Sequence, residues 1–377
     1  MSTQYPVVTV TGPRQSGKTT LCRTFFSEKP YFNLEVPDVR LYAQNDPRGF
    51  LKQCPDGAVL DEIQRVPDLL SYIQGIVDER SEEGLFILTG SQQFEVLNTV
   101  SQSLAGRTAL IKLLPFSFAE LSGYGIDYSI NRSMVTGFYP RIYDKKLNPT
   151  QALGDYFETY IERDLRQLTT IKDISLFEKF VRLCAGRVGQ LLNLQSLAAD
   201  TGISHTTART WMTLLEASYI VFLLQPWHNN FSRRQVKSAK LYFYDVGLVS
   251  YLLGIENEKQ AARDPLRGGL FENMAIIEAL KYRFNRALRP NIFFFRDAKG
   301  HEIDLIIERG RDVFPVEIKA GETIAGDYFK GLRHFARTGV SMSMGGGLIY
   351  AGSDVQKRTG WSVYPLPRIE EMLDSNK

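Results

Sequence analysis

The stretch Gly12-Pro13-Arg14-Gln15-Ser16-Gly17-Lys18-Thr19-Thr20 follows directly on the apolar, β-branched run Pro6-Val7-Val8-Thr9-Val10-Thr11. A strand that breaks at a glycine, crosses a short loop and reaches Gly-Lys-Thr has the spacing of a phosphate-binding P-loop, the Walker A motif. Each residue has a task there. Backbone N–H groups from Gly12 to Thr20 cradle the α- and β-phosphates, Lys18 reaches the β- and γ-phosphates, and the Thr19 hydroxyl ligates Mg²⁺. A second stretch, Gly57-Ala58-Val59-Leu60-Asp61-Glu62-Ile63, is an apolar strand ending in two carboxylates. It reads as Walker B: Asp61 holds Mg²⁺ through water, and Glu62 polarises the attacking water. Together the motifs predict hydrolysis of ATP with Mg²⁺ rather than mere binding.

Working outward, short apolar strands alternate with amphipathic stretches up to about residue 145, the pattern of a parallel sheet wrapped by helices. The expected strands are Val7–Val10, Tyr31–Leu34, Val59–Leu60, Leu85–Leu88 and Ala109–Leu113. After the fourth comes Thr89-Gly90-Ser91-Gln92, where Ser91 or Gln92 is placed to sense the γ-phosphate. Arg107, at the end of Ser103-Leu104-Ala105-Gly106-Arg107, has two readings. It is either an arginine finger acting on a neighbouring subunit's nucleotide, which demands a homo-oligomer, or a helix C-cap.

Composition sets the outer limits. A chain of 377 residues is long enough for two or three domains, each with its own core. The net charge of +3, from 45 Lys+Arg against 42 Asp+Glu, confines any basic surface to a local patch. Cys22, Cys54 and Cys184 lie far apart without metal-ligand spacing, which fits core residues in a reducing compartment. There is no basic-then-apolar leader and no run of about eighteen apolar residues, so the expectation is a soluble, cytoplasmic protein without a membrane partner.

The order of motifs resembles that of the predicted bacterial and archaeal ATPases of the AAA+ superfamily that carry a C-terminal domain of unknown function. The resemblance rests on the P-loop, Leu60-Asp61-Glu62-Ile63-Gln64, Leu88-Thr89-Gly90-Ser91, Leu104–Arg107, Pro115-Phe116-Ser117-Phe118 and Tyr156–Asp164. It covers nearly the whole chain. It implies an ATPase core, a winged-helix segment and a restriction-endonuclease-like end, and supplies no substrate.

The residues themselves support that division. Leu194–Gly202 followed by Ile203–Trp211 has the rhythm of a helix-turn-helix, with Gly202 permitting the turn and Ser204 capping the second helix. Ala208, Trp211 and Leu215 form its buried stripe, leaving His205, Thr206, Thr207, Arg209 and Thr210 on or near the exposed side. Tyr219–Leu224 and Lys240–Tyr244 read as wing strands joined by a loop with Arg233, Arg234, Lys237 and Lys240. Such a wing either contacts DNA phosphates or packs between domains with its charges solvated.

Further on, an amphipathic helix over 268–280, strands over 292–296, 302–307 and 313–318, a helix near 327–337 and a strand over 347–350 follow the order of a restriction-endonuclease-like core. Asp304 precedes Glu317-Ile318-Lys319. Alternation along a strand puts Glu317 and Lys319 on one face. Asp304 and Glu317 can then hold Mg²⁺, Glu272 can complete the metal shell, and Lys319 can orient or deprotonate water. The same residues also suit an inactive scaffold with a surface ion pair, and His301 reads as a surface or turn residue rather than a ligand.

The expected fold class is therefore α/β in three parts: an AAA+ type P-loop domain over 1–150, a helical and winged-helix domain over 151–245, and a restriction-endonuclease-like α/β domain over 246–377. The expected function is a Mg²⁺-dependent ATPase that binds DNA and can cleave it. The alternative is an ATP-driven conformational switch acting on protein partners, with its C-terminal domain inert.

Overall fold

The computed structural model describes residues 1–80, 82–90, 103–126, 128–160, 173–228, 238–342 and 345–374. Ser91, Gln92, the 161–164 end of the Tyr156–Asp164 motif, Arg233, Arg234 and Lys237 lie outside them. The chain divides into two compact units. The first holds Met1–Pro115 with Ala217–Tyr219 and Phe284–Leu288, and the second holds the remainder.

The first unit is built on five parallel strands, β1 (Val7–Thr11), β2 (Tyr31–Asn33), β3 (Ala58–Asp61), β4 (Phe86–Gly90) and β5 (Thr108–Lys112), in the order β2-β3-β4-β1-β5. All five residues of β1 are buried. Continuous burial is what a central parallel strand needs when both sheet faces are covered, and it explains the unbroken β-branched run. The order inserts β4 between the strands that lead into the two Walker motifs. Register keeps the carboxyl ends level: Val10 lies opposite Thr89, and Asn33 lies opposite Asp61. An open α/β sheet places its ligands outside these ends. Tyr219 also belongs to this unit, and its hydroxyl donates to Thr11 Oγ1 at 3.1 Å. A φ of +57° at Tyr219 delays the following strand, which begins at Val221 rather than at Tyr219.

The second unit contains a two-stranded antiparallel sheet of β6 (Val221–Leu224) and β7 (Lys240–Phe243). Its larger sheet is mixed and comprises β8 (Ile292–Arg296), β9 (Glu302–Arg309), β10 (Asp312–Lys319), β11 (Gly346–Tyr350), β12 (Gln356–Arg358) and β13 (Trp361–Pro365). The order is β12-β13-β11-β10-β9-β8, with β8, β9 and β10 antiparallel and β11 parallel to both β10 and β13. The helix Leu194–Thr201 ends at Gly202, whose φ is +92°, and the helix His205–Ala217 follows. Ser204 Oγ accepts from Thr207 N at 3.0 Å, and Ala208, Trp211 and Leu215 are buried.

One expectation is corrected here. The helix Arg267–Asn285 is longer than 268–280 and is not amphipathic, because Leu270, Phe271, Met274, Ala275, Ile276, Ile277, Ala279 and Leu280 bury it on nearly every side. Its buried polar groups are all satisfied. Asn273 Oδ1 accepts from Phe243 N at 2.7 Å, while Glu278 accepts from Phe118 N at 3.0 Å and from Lys281 Nζ at 2.8 Å. Lys281 Nζ also donates to Phe116 O at 2.6 Å. Phe138 N also donates to Asp245 Oδ2 at 2.7 Å. With these bonds the segment from Phe116 onward groups with the second unit.

Candidate functional site

At the carboxyl end of β1 the chain must turn tightly. Gly12 has φ +150°, and a Cβ there would lie 2.0 Å from Leu113 O, so only glycine fits. Gln15 and Gly17 also have positive φ, at +59° and +93°. Within the loop Pro13 and Ser16 are buried, Arg14 and Gly17 half-buried, and Gln15 exposed; Thr19 is half-buried and Thr20 exposed on the first turn of the helix Lys18–Phe25. That helix start has no side-chain cap and no acidic residue in its first turn. Its first N–H groups and positive dipole end therefore suit an anion. Among the described residues the buried Ser16 hydroxyl has no hydrogen-bond partner, a second feature that fits a polar ligand.

Lys18 is buried, with its Nζ donating to Gly12 O at 3.0 Å and Pro13 O at 2.7 Å. Burial pulls its pKa down from the ordinary 10.5 to about 8, against the opposing charges of Glu62 and Asp61. The folded form therefore releases a proton that the unfolded chain keeps between those two values. Stability contributed by this group rises with pH across that window, by up to about 3 kcal/mol. We expect urea midpoints measured without nucleotide to show the wild type gaining on Lys18→Met between pH 8 and pH 10. An unchanging gap between the two proteins would refute the assigned environment.

Asp61 gathers the site's hydroxyls. Its Oδ2 accepts from Thr19 Oγ1 at 2.9 Å and from Tyr31 OH at 2.6 Å, and its Oδ1 accepts from the Thr89 hydroxyl. Thr89 Oγ1 in turn accepts from Glu62 N at 3.4 Å. Glu62 has φ +58° and ψ +49°, a left-handed conformation that costs a non-glycine residue about 1–3 kcal/mol and is common where function holds it. Gln64 Nε2 donates to the Glu62 carboxylate. Motif spacing identifies Asp61 and Glu62, but Tyr31 and Thr89 join them only through the sheet's register. A polar residue at a strand's carboxyl end is the available signal for Thr89; the expected sensors Ser91 and Gln92 follow it and lie outside the described residues. Arg107 pairs with Asp78, Nη2 to Oδ2 at 2.9 Å, and donates from Nη1 to Ala105 O at 3.2 Å.

Residues 4–122 match the family described as "AAA domain"; residues 127–259 and 267–369 match two families described as domains of unknown function, DUF8612 and DUF4143. "Uncharacterized protein Mb2031c" of Mycobacterium bovis and "Uncharacterized protein Rv2008c" of Mycobacterium tuberculosis are each 32% identical over 323 residues, covering 84% of this chain and 71% of theirs. The chain belongs to the AAA+ P-loop ATPases with a C-terminal DUF4143 domain. Among solved structures, "the Walker-type ATPase paby2304" of Pyrococcus abyssi is similar at 14% identity and a TM-score of 0.41, covering 66% of this chain and 91% of that one. Among the described residues of this ATPase, no helix is long and apolar enough to cross a membrane, and the three cysteines are free and buried.

The ATPase has a second polar constellation in its C-terminal sheet. Val316 pairs with Leu305, so Glu317 and Asp304 come together where the β9–β10 ladder ends. Asp304 Oδ2 accepts from Ile318 N at 2.8 Å and from Lys319 Nζ at 3.2 Å, while Lys319 Nζ reaches Glu317 Oε2 at 2.5 Å. Gly331 leaves room for this carboxylate, since a Cβ there would lie 1.8 Å from Glu317 Oε1. Burial, followed by the charge of Asp304, pushes Glu317 up to about 8. Burial acts in the same direction on Asp304, but Lys319 and Lys240 outweigh it and hold that carboxyl low.

Glu272 lies near enough to Asp304 to feel its charge but is held by other partners. Its Oε1 accepts from Lys240 Nζ at 2.7 Å and Tyr242 OH at 2.5 Å, and Lys240 also pairs with Glu302. Among the described residues, Glu272, Asp304 and Glu317 do not bring ligand atoms within 4.8 Å of one another as a set. Lys240, expected on a basic wing tip, is buried and neutralised by these two glutamates. Its sequence neighbours suggested a solvated charge, whereas its partners come from distant elements.

Proposed function

We propose that this ATPase couples Mg²⁺-dependent hydrolysis to work on DNA, in three parts with a winged-helix segment between the ATPase core and a restriction-endonuclease-like end. Thr19 and Asp61 would hold the Mg²⁺, which supplies charge neutralisation to the phosphates. Lys18 exchanges the carbonyls of Gly12 and Pro13 for phosphate oxygens, Thr89 and Tyr31 keep Asp61 oriented, and Glu62 polarises the attacking water. The observation that carries the DNA reading is the convergence of Asp304 and Glu317 on a half-exposed Lys319, a carboxylate and ammonium set suited to a phosphodiester. The exposed His205, Thr206, Arg209 and Thr210 support duplex contact.

One observation favours the alternative of a protein-directed switch with an inert C-terminal domain: Lys240 already neutralises Glu272, the residue expected to complete the metal shell. Nicking of plasmid DNA in Mg²⁺ or Mn²⁺ separates the readings. We expect cleavage that Asp304→Ala and Lys319→Ala each abolish while ATP turnover persists, because the two sites share no residue. DNA-stimulated turnover without cleavage would leave binding as the role of this site, and neither stimulation nor cleavage would reject the DNA reading in favour of the switch.

A further inference from the structure

A third cluster lies on the turn between β8 and β9 and on the helix Lys330–Ala336. Asp297 and His301 come from the turn, His334 comes from the helix, and their ligand atoms lie within 4.8 Å of one another. The carboxylate is held from behind: Asp297 Oδ1 accepts from Lys299 N at 2.8 Å and from His301 N at 2.9 Å. Both imidazoles meet its other oxygen. His301 Nδ1 lies 2.8 Å from Oδ2 and His334 Nε2 lies 3.4 Å from it. The rings stack with centroids 3.7 Å apart.

We propose that Asp297, His301 and His334 form a binding site for a divalent transition-metal cation of the Zn²⁺ class. Two imidazole nitrogens and one carboxylate oxygen suit such an ion, with water in the remaining position, whereas Mg²⁺ and Ca²⁺ prefer all-oxygen shells. Backbone N–H groups behind the carboxylate supply the outer support that orients a ligand. The stacked rings must turn about their Cβ–Cγ bonds to aim both nitrogens at one ion, and with side chains 41% and 36% exposed they can do so without disturbing the core. The site is independent of the ATPase Mg²⁺ residues and of Asp304, Glu317 and Lys319. Its consequence is a clamp. His334 lies on the same short helix as Gly331, the residue packed on Glu317, so a bound cation would pin that helix to the turn and hold it over the carboxylate site.

The test is calorimetric titration of Zn²⁺ into the metal-free full-length protein with Mg²⁺ in excess. We expect one equivalent to bind and to raise the thermal midpoint. His301→Gln and His334→Gln should each weaken affinity by more than the about 10–100-fold that loss of a merely supporting partner costs, while His205→Gln leaves it unchanged. Co²⁺ bound in place of Zn²⁺ should show visible absorption that His334→Gln removes. Both glutamine variants change half-exposed positions, and unaltered unfolding without Zn²⁺ checks that they fold. Absence of Zn²⁺ uptake by the wild type, or uptake undiminished in His301→Gln and His334→Gln, would overturn the proposal.

Discussion

Lys18→Ala should abolish measurable ATP binding, whereas Glu62→Gln should bind ATP and lose about 10²–10⁴-fold in turnover, the usual range for removing a general base. The two outcomes differ because the residues act at different stages. On the proposed reading, Lys18 compensates phosphate charge in the ground state and the transition state alike, while Glu62 acts on the attacking water alone. Nucleotide titration with a fluorescent ATP analogue, alongside phosphate release, distinguishes them, and wild-type turnover in Glu62→Gln would place water activation elsewhere. Arg107 extends the same experiment to assembly. It pairs with Asp78 within its own chain, so action on a neighbour's nucleotide requires it to leave that pair. If it does, Arg107→Ala lowers turnover with affinity intact, and mixing it with Lys18→Ala restores activity. Full turnover of Arg107→Ala in a strictly monomeric protein would end the trans reading.

The second large effect concerns stability. Lys281 and Glu278 are both about 1% exposed and pair at 2.8 Å inside the second unit. Lys281 also stands over the Phe138 ring, 3.9 Å from its centroid. Removing one member of a buried pair leaves an uncompensated charge and costs about 3–5 kcal/mol. Lys281→Met should therefore lower the free energy of urea unfolding of this unit by that amount, and Glu278→Gln in the same chain should recover part of it, since glutamine still accepts from Phe118 N. A loss below about 1 kcal/mol in Lys281→Met would show that water or another cation already compensates Glu278.

How much of this was legible in the sequence follows from the range of the interactions. Gly12 to Thr20, Asp61 and Glu62 were legible because their chemistry is written in consecutive residues at a strand end. Asp304, Glu317 and Lys319 were legible because strand alternation puts Glu317 and Lys319 on one face and an adjacent strand supplies the aspartate. Tyr31 and Thr89 were not, since nothing local says that β2 and β4 flank β3. The helix Arg267–Asn285 looked amphipathic because Asn273, Glu278 and Lys281 interrupt its apolar run, yet all three are buried with partners. Strands β12 and β13 carry little local signal, because one is three residues long and the other ends in Pro365. His301 gives no hint of His334, which reaches the same carboxylate from another element.

The bond between Tyr219 and Thr11 spans 208 residues of chain. During synthesis at about 5–20 residues per second, the segment leading into the P-loop leaves the ribosome roughly 10–40 seconds before that partner exists. The strand on its outer side, β5, follows much earlier, since Val7 pairs with Thr108. The five-stranded sheet can thus assemble on the nascent chain while the end of its central strand remains incomplete. The Tyr219 contact to the last residue of β1 is then a late event, formed only after residues 116–216 of the second unit have been made.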